Sequence, residues 1–261
     1  MARKGKAAIR LGVVGVGRGQ TFMHQAPAVG MELAAICDTQ KERLEQVGKQ
    51  LGVATYTDYA KFLEHDLDAV VLANYFHEHA PFAIQALRAG KHVMSETAAC
   101  NTMAEGVELC RAVEKSGKTY LFAENYPYTA ANIELTRLYQ AGQIGEVAYA
   151  EGEYNHPGPP EWVASIAPGV NHWRNLLPAT YYCTHALAPL MTITDTMPKT
   201  VNALAIPRPD SDRRPFLRKR GDAGAVILVR MDNGAVFRLF GVFVPGHSIW
   251  YRLHGVRGLM E

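Results

Sequence analysis

Residues 9–20 constrain the fold of this chain more than any other segment. They read IRLGVVGVGRGQ, an apolar run rich in β-branched residues that ends in three glycines, Gly15, Gly17 and Gly19. Glycine allows a tight turn and lets the backbone approach a diphosphate closely. The next ten residues, TFMHQAPAVG, are typical of a helix that ends near Gly30. The pattern therefore predicts a strand, a glycine turn and a helix of the dinucleotide-binding kind.

A second predicted strand, MELAAICD, ends in Asp38, 21 residues after Gly17. A carboxylate at this place binds ribose hydroxyls and repels a 2′-phosphate, which favours NAD over NADP. The glycine pattern is irregular, because Gly19 stands one position early and Gln20 takes the usual third place. Arg43, on the next predicted helix, leaves use of both cofactors open. We expect NAD, with NADP less favoured, to contact Gly15, Gly17, Arg18, Gly19, Gln20 and Asp38.

Strand and helix patterns alternate through the first half of the chain. Helices of 10 to 15 residues between short apolar strands indicate a parallel, doubly wound sheet. A Rossmann domain is therefore expected over residues 1–127. The predicted strands cover residues 9–17, 31–38, 68–74, 91–96 and 118–125, and the later helices cover 41–52, 79–90 and 103–117.

The pattern changes after residue 127. A helix over 131–145 precedes a strand over 147–154, and alternating apolar residues return at 225–244 and 248–258. The Asp232-Asn233-Gly234 triplet within the first of these runs is a hairpin signal. Residues 128–261 are thus expected to form a substrate-binding and oligomerisation domain, α+β with a mostly antiparallel sheet. A sheet that stops near residue 261 would leave an apolar edge, so we expect a homo-oligomer joined through it or a longer chain.

Composition and residue spacing argue against several classes of binding partner. The net charge of +2 argues against nucleic acid, and the basic run at 213–220 lies in a Pro- and Gly-rich stretch typical of a solvated loop. The four cysteines lack metal or disulfide spacing, and no run approaches the roughly 18 apolar residues of a membrane span. His77 and His79 have no third ligand placed by spacing, so no metal is expected. The chain is expected to be cytoplasmic, with no membrane or nucleic-acid partner.

Stretches along the whole chain, among them GVVGVGRG, AAICD, HAPFAIQALRAGKHV and LTRLYQAGQIGEV, resemble the Gfo/Idh/MocA family. The resemblance implies NAD(P)-dependent oxidation or reduction of a sugar or polyol hydroxyl. Members typically carry Glu-Lys-Pro after the fourth or fifth strand, and its lysine moves the hydroxyl proton. Here the triplet is Glu96-Thr97-Ala98, and a threonine hydroxyl is too weak a base at neutral pH. Further cofactor candidates near the strand ends are Asn74, His79, Glu96 and Asn125.

The segments AENYPY, EGEYNHP, NHWR and YYCTHALAPL resemble a subgroup of that family, the NAD-dependent glycosidases of the α-N-acetylgalactosaminidase type. Those enzymes also lack the lysine. Sugar specificity does not transfer, because Ala186-Leu187-Ala188-Pro189 replaces Gly-Leu-Gly-Pro. The resemblance implies catalytic roles for His185, Tyr182, Tyr154 and Glu124, a cofactor contact at Arg174, and substrate contacts at His156, Trp173 and Tyr126.

Three hypotheses follow from the sequence. The first is a glycosidase that oxidises a ring hydroxyl transiently, eliminates the glycosidic oxygen and reduces the ring again. The second is a plain NAD(P)-dependent sugar or polyol dehydrogenase in which His185 replaces the lysine. The third is a non-catalytic protein that binds NAD or sugar, which the missing lysine would support.

Overall fold

The computed structural model describes residues 8–155, 160–167, 171–176, 178–207, 222–242 and 248–261. The chain divides into two compact units, Met1–Ala123 and Glu124–Glu261. His156 and the basic run at 213–220 lie outside the described residues. None of the helices in the described segments is long and apolar enough to cross a membrane.

The first unit contains a six-stranded, fully parallel sheet in the order β3-β2-β1-β4-β5-β6. Its strands are β1 (Ile9–Val14), β2 (Met31–Cys37), β3 (Ala54–Tyr56), β4 (Ala69–Leu72), β5 (His92–Ser95) and β6 (Tyr120–Phe122). Its helices are α1 (Gln20–Gln25), α2 (Lys41–Leu51), α3 (Tyr59–Glu64), α4 (His79–Arg88) and α5 (Met103–Ser116). The sequence patterns missed β3 and α3, since elements of three and six residues carry little periodicity.

Buried side chains on both faces of this sheet explain its near-continuous apolar strands. Val13 packs with the residues of α1 and α2, whereas Val14 packs with those of α3, α4 and α5. The strand order reverses between β1 and β4, so the loops after these two strands part to opposite sides. In doubly wound sheets the ligand lies at this switch point, outside the carboxyl ends of the strands.

The second unit contains a six-stranded sheet in the order β12-β11-β7-β10-β9-β8, in which only the pair of β7 and β10 is parallel. Its strands are β7 (Val147–Asn155), β8 (Pro198–Pro207), β9 (Asp222–Met231), β10 (Val236–Val242), β11 (Ser248–Gly255) and β12 (Gly258–Met260). Its helices are α6 (Ala130–Gln140), α7 (Pro160–Ile166) and α8 (Thr184–Thr194). The predicted fold class is confirmed. Gly234, with φ of 90°, turns the hairpin between β9 and β10 as expected.

Helix α8 lies unusually close to β7. A Cβ atom placed on Gly152 would overlap the backbone carbonyl of Ala186, so only glycine allows this approach. Ala186 and Leu190 are completely buried at the contact. The first turn of α8 is thereby fixed against the strand two residues before Tyr154.

Gly152→Ala is expected to destabilise the chain by about 1–3 kcal/mol, because the added methyl group overpacks a contact between two backbones. Urea unfolding monitored by circular dichroism measures the loss. Gly258→Ala is the matched control, since a Cβ there would meet Ile144 at 3.6 Å, an ordinary contact. Equal midpoints for the two variants would contradict the close approach of α8 to β7.

Candidate cofactor and active sites

The turn after β1 needs two of its glycines for its own packing. Gly15 has φ of +92°, and a Cβ there would overlap the carbonyl of Ala73 in the loop after β4. A Cβ on Gly19 would overlap the carbonyl oxygen of Gly15. Gly19, although one position early, therefore serves the close packing that the third glycine of the pattern provides.

Gly17 is different, because only the end of one flexible side chain lies near a Cβ placed there. The nearest atom to a Cβ placed there is Nη1 of Arg43, at 3.6 Å. Nothing in the fold of the turn itself requires glycine at this position. A bare backbone at the tip of the turn suits close approach by a diphosphate.

Asp38 and Gln20 hold this turn in shape. Asp38 Oδ2 accepts the backbone N–H of Val16 at 2.7 Å, and its Oδ1 accepts that of Gln40 at 2.8 Å. The Gln20 side chain donates to the carbonyl oxygen of Val16 at 2.8 Å. Each Asp38 oxygen keeps a further lone pair, so the carboxylate can still accept a ribose hydroxyl.

Two predicted cofactor residues follow β4. The Asn74 side-chain amide donates to Oε2 of Glu78 at 3.2 Å. His79 is 1% exposed, and its Nδ1 lies 2.9 Å from the carbonyl oxygen of Ala98. Burial lowers the pKa of His79, so the ring is neutral and its Nδ1–H donates to that carbonyl. His79 thus ties the start of α4 to the loop after β5.

Glu96, the first residue of the triplet that replaces Glu-Lys-Pro, is paired with the Arg18 guanidinium in the glycine turn. Its second oxygen accepts the backbone N–H of Thr97 at 3.1 Å. The Arg18 guanidinium also lies 5.7 Å above the centre of the Phe22 ring. Glu96 and Arg18 therefore connect the loops after β5 and β1. Within the described residues no cluster of His, Cys, Asp or Glu could hold a metal ion.

The second unit contains a buried contact between a carboxylate and an imidazole. Glu124 Oε1 lies 2.6 Å from Nδ1 of His185, and the two residues are 4% and 6% exposed. The same carboxylate oxygen accepts the backbone N–H of Tyr126 at 3.1 Å. Because a carboxylate only accepts, His185 donates from Nδ1, and in the neutral form of the ring Nε2 then carries the lone pair. The sequence predicted both residues, which the fold brings together from positions 61 apart.

Three tyrosine rings surround His185. The ring centres of Tyr126 and Tyr154 are each 4.6 Å from that of His185, and the Tyr182 ring is 5.9 Å away. Burial, followed by a hydrogen bond with Tyr126, raises the pKa of Tyr154 far above its ordinary value. Tyr154 therefore remains a phenol at neutral pH and can donate a proton but cannot act as a phenolate base.

Arg174, predicted as a cofactor contact, donates from Nη1 to the Tyr182 hydroxyl at 2.6 Å. Its guanidinium also lies 4.9 Å from the centre of the Trp173 ring. Arg174, Trp173 and Tyr182 are only partly buried, unlike Glu124 and His185. These three side chains, like that of Tyr126, are more accessible to a ligand than the buried pair.

Tyr251 on β11 was missed by the sequence analysis. Its hydroxyl donates to the backbone carbonyl of His185 at 2.7 Å and fixes the first turn of α8. The alternating pattern WYRL predicts a strand but does not indicate which residue contacts a distant helix. Asn125, predicted as a cofactor contact, is exposed, and its role stays a prediction.

Comparison with known proteins bears on the family and the fold of this chain. Residues 9–124 match the profile of the Gfo/Idh/MocA oxidoreductase family with its NAD-binding Rossmann fold. The glycosyl hydrolase family 109 protein 2 of Phocaeicola vulgatus is 29% identical over 203 residues, which are 70% of this chain and 48% of that protein. The alpha-N-acetylgalactosaminidase of Shewanella oneidensis is also 29% identical over 203 residues, 70% of this chain and 43% of the enzyme. The chain thus spans about half the length of these relatives.

Among solved structures, the scyllo-inositol dehydrogenase of Lactobacillus casei with bound NAD(H) and scyllo-inositol is similar, with a TM-score of 0.81. The match has 18% sequence identity and covers 97% of this chain and 76% of the enzyme. At this identity the likeness supports the fold alone. The predicted resemblance to the Gfo/Idh/MocA family and its NAD-binding fold is confirmed.

Gly17→Ala is expected to leave stability nearly unchanged and to weaken NADH binding at least about tenfold, because its methyl group would occupy the surface that the diphosphate approaches. Gly15→Ala is expected instead to lower the melting temperature, since alanine is strained at a φ of +92° and would overlap Ala73. Thermal unfolding and NADH fluorescence titration separate the two effects. Unchanged NADH affinity in Gly17→Ala would contradict the assignment of the diphosphate site.

Proposed function

We propose that this chain, whose residues 9–124 match the Gfo/Idh/MocA family of oxidoreductases with an NAD-binding Rossmann fold, is an NAD-dependent enzyme acting on carbohydrate. The more specific proposal is glycoside cleavage through transient oxidation of a ring hydroxyl. The observation that carries it is the buried contact of Glu124 with His185. It supplies a positioned proton-transfer group in a chain whose Glu96-Thr97-Ala98 triplet lacks the lysine.

His185 is proposed as the general base. Glu124 fixes the ring orientation and the Nδ1–H tautomer, so the lone pair of Nε2 is the proton acceptor. The carboxylate also stabilises the imidazolium that forms when His185 takes up a proton. Tyr251 supports this arrangement through its bond to the His185 carbonyl.

The tyrosines are proposed to supply protons. Tyr154 holds its proton at neutral pH and can hydrogen-bond a developing alkoxide. Tyr182 accepts a hydrogen bond from Arg174, and its own hydroxyl proton is proposed to go to a ligand oxygen. The guanidinium stabilises negative charge on the Tyr182 oxygen, so Tyr182 is proposed as the acid for the departing group.

The reaction needs both hydride and proton transfer. NAD⁺, when bound, would supply a hydride acceptor for a ring carbon and would be regenerated in the last step, so no cosubstrate would be consumed. The proton of the oxidised hydroxyl would pass to water. While the ring is a ketone, the neighbouring C–H is acidic, and His185 is proposed to remove that proton. The electron pair expels the glycosidic oxygen, which takes a proton from Tyr182. Water then adds to the unsaturated ring: its oxygen joins the anomeric carbon, its proton returns to Tyr182, and His185 gives its proton back to the neighbouring carbon. Reduction of the ketone, with a proton from water, restores the hydroxyl.

A plain dehydrogenase is the second candidate. It needs one base for a hydroxyl proton, which His185 alone can provide. Three phenols lie around His185, and a guanidinium donates a hydrogen bond to one of them; these further donors favour the glycosidase.

An assay of aryl glycosides with and without NAD distinguishes these candidates. Phenol release that depends on NAD without net NADH supports the glycosidase. Stoichiometric NADH without cleavage supports the dehydrogenase. Binding of NADH with neither activity would overturn both and favour a non-catalytic binding protein.

His185→Ala is expected to lower turnover by about 10²–10⁴-fold, the usual loss on removing a general base. NADH affinity should stay within about twofold of the unaltered chain, because His185 is proposed to move a proton and not to hold the cofactor. The matched control is His254→Ala, which removes a histidine on β11 whose ring contacts Tyr149. Turnover in His185→Ala equal to that in the control would show that the active site is assigned wrongly.

We further propose a homo-oligomer joined through the outer face of the second sheet. The strand register places five residues in one row across this face. Four of them are apolar, and the row reads Leu204, Val226, Phe240, Glu153 and Trp250. Leu204 is 79% exposed and Leu228, on the same face, is 46% exposed. An exposed apolar strip of this kind is typical of a protein interface.

The double substitution Leu204→Glu and Leu228→Glu is expected to shift the chain to a monomer, because two charges would be buried in the interface of each subunit. Size-exclusion chromatography with light scattering measures the mass. Val201→Glu on the opposite face, where Val201 is 61% exposed, is the control. A monomeric unaltered chain would contradict this interface.

A further inference from the structure

The backbone of Tyr126 is held by hydrogen bonds at both its N–H and its carbonyl group. The N–H donates to Oε1 of Glu124 at 3.1 Å, and the carbonyl oxygen accepts the side-chain amide of Asn132 at 2.8 Å. The same carbonyl oxygen accepts the N–H of Thr129 at 3.2 Å, which closes a 3₁₀ turn. The Asn132 side chain is therefore bound to the residue whose N–H holds the Glu124 carboxylate.

The Glu124 carboxylate is held through one of its two oxygens. Oε1 accepts hydrogen bonds from the N–H of Tyr126 and from Nδ1 of His185. The other oxygen, Oε2, is buried without a hydrogen-bond partner among the residues that the structure describes. The N–H of Tyr126 thus orients the carboxylate toward the imidazole, and a shift of Tyr126 would move the point at which His185 is bound.

Asn132 is buried in the first turn of α6, behind the N-cap residue Thr129. It is 2% exposed, and its Oδ1 has no hydrogen-bond partner in the described part of the chain. Leaving a buried polar atom unpaired costs about 1–3 kcal/mol, at least as much as one hydrogen bond contributes. The Asn132 side chain therefore adds little net stability, while its amide N–H binds the residue that orients Glu124.

We propose that Asn132 is a positioning residue for His185. By holding the carbonyl of Tyr126, it keeps the Tyr126 N–H on Glu124, and thereby keeps the carboxylate on Nδ1 of the imidazole. The inference rests on the proposed function, in which His185 is the general base. Because a misplacement of about 1 Å can lower a rate about 100-fold, a small movement of this turn is enough to impair proton transfer.

NMR of the full chain with ¹⁵N-labelled histidine measures the state of His185. An imidazole proton bound to a carboxylate resonates far downfield, and its absence from His185→Ala assigns the resonance. In Asn132→Ala this resonance is expected to move upfield or to disappear through exchange with water, because the carboxylate is no longer held against Nδ1.

Turnover of Asn132→Ala, measured as phenol release or NADH formation, is expected to fall at least about tenfold, with KM changed less than about threefold. A positioning residue acts on proton transfer and not on substrate binding, so kcat is the parameter that changes. Asn132→Leu is the second variant, since leucine has the same branching at Cγ, leaves no cavity and has no donor. It is expected to show the same changes in the resonance and in kcat.

Thr194→Val is the matched control. It removes another buried side-chain bond to a backbone carbonyl, that of Leu190 at 2.7 Å, at the end of α8. It is expected to lower the melting temperature and to leave the His185 resonance and turnover unchanged, because this bond lies outside the contacts that hold Glu124.

An unshifted resonance in both Asn132 variants, or equal losses in Thr194→Val, would overturn the inference. Absence of the downfield proton from the unaltered chain would overturn it as well. An unaltered chain that shows the resonance but has no turnover would contradict the proposed function instead. The NMR comparison would then still decide whether Asn132 orients the imidazole of His185.

Discussion

The contact of Glu124 with His185 is the interaction on which the proposed chemistry depends. Both residues are almost completely buried, and burying a carboxylate is costly unless hydrogen bonds compensate for the lost water. The N–H of Tyr126 and Nδ1 of His185 provide two such bonds to one oxygen. This polar pair lies inside an otherwise apolar cluster, where two aliphatic side chains would pack without the cost of desolvation.

The fold around this pair serves to hold it. Tyr251 fixes the backbone of His185, and Gly152 lets α8 lie directly on β7. Tyr251 and Gly152 lie on the neighbouring strands β11 and β7. Two strand-to-helix contacts and three tyrosine rings thus restrict one imidazole, which is what a general base needs to be effective.

The sequence predicted most of the architecture, since strand alternation, the glycine turn and the Asp-Asn-Gly hairpin are local patterns. The short elements β3 and α3 were not predicted, because three to six residues carry too little periodicity. Among the candidate residues, Glu124 and His185 were identified by resemblance and not by spacing. Tyr251 and Gly152 could not be found this way, because their importance lies in contacts between residues far apart in the chain. The bond from the Val16 N–H to Asp38 likewise joins residues 22 positions apart in the chain.

The way in which α8 meets β7 has a consequence for how such a site can diversify. The separation of His185 and Tyr154 is fixed by a backbone-to-backbone contact, whereas Arg174 and Trp173 project from a short 3₁₀ segment outside the sheet. Changes in that segment can alter which ligand is accommodated while the proton-transfer groups keep their spacing. Descendants of one ancestral chain could in this way acquire new substrates without rebuilding their acid and base.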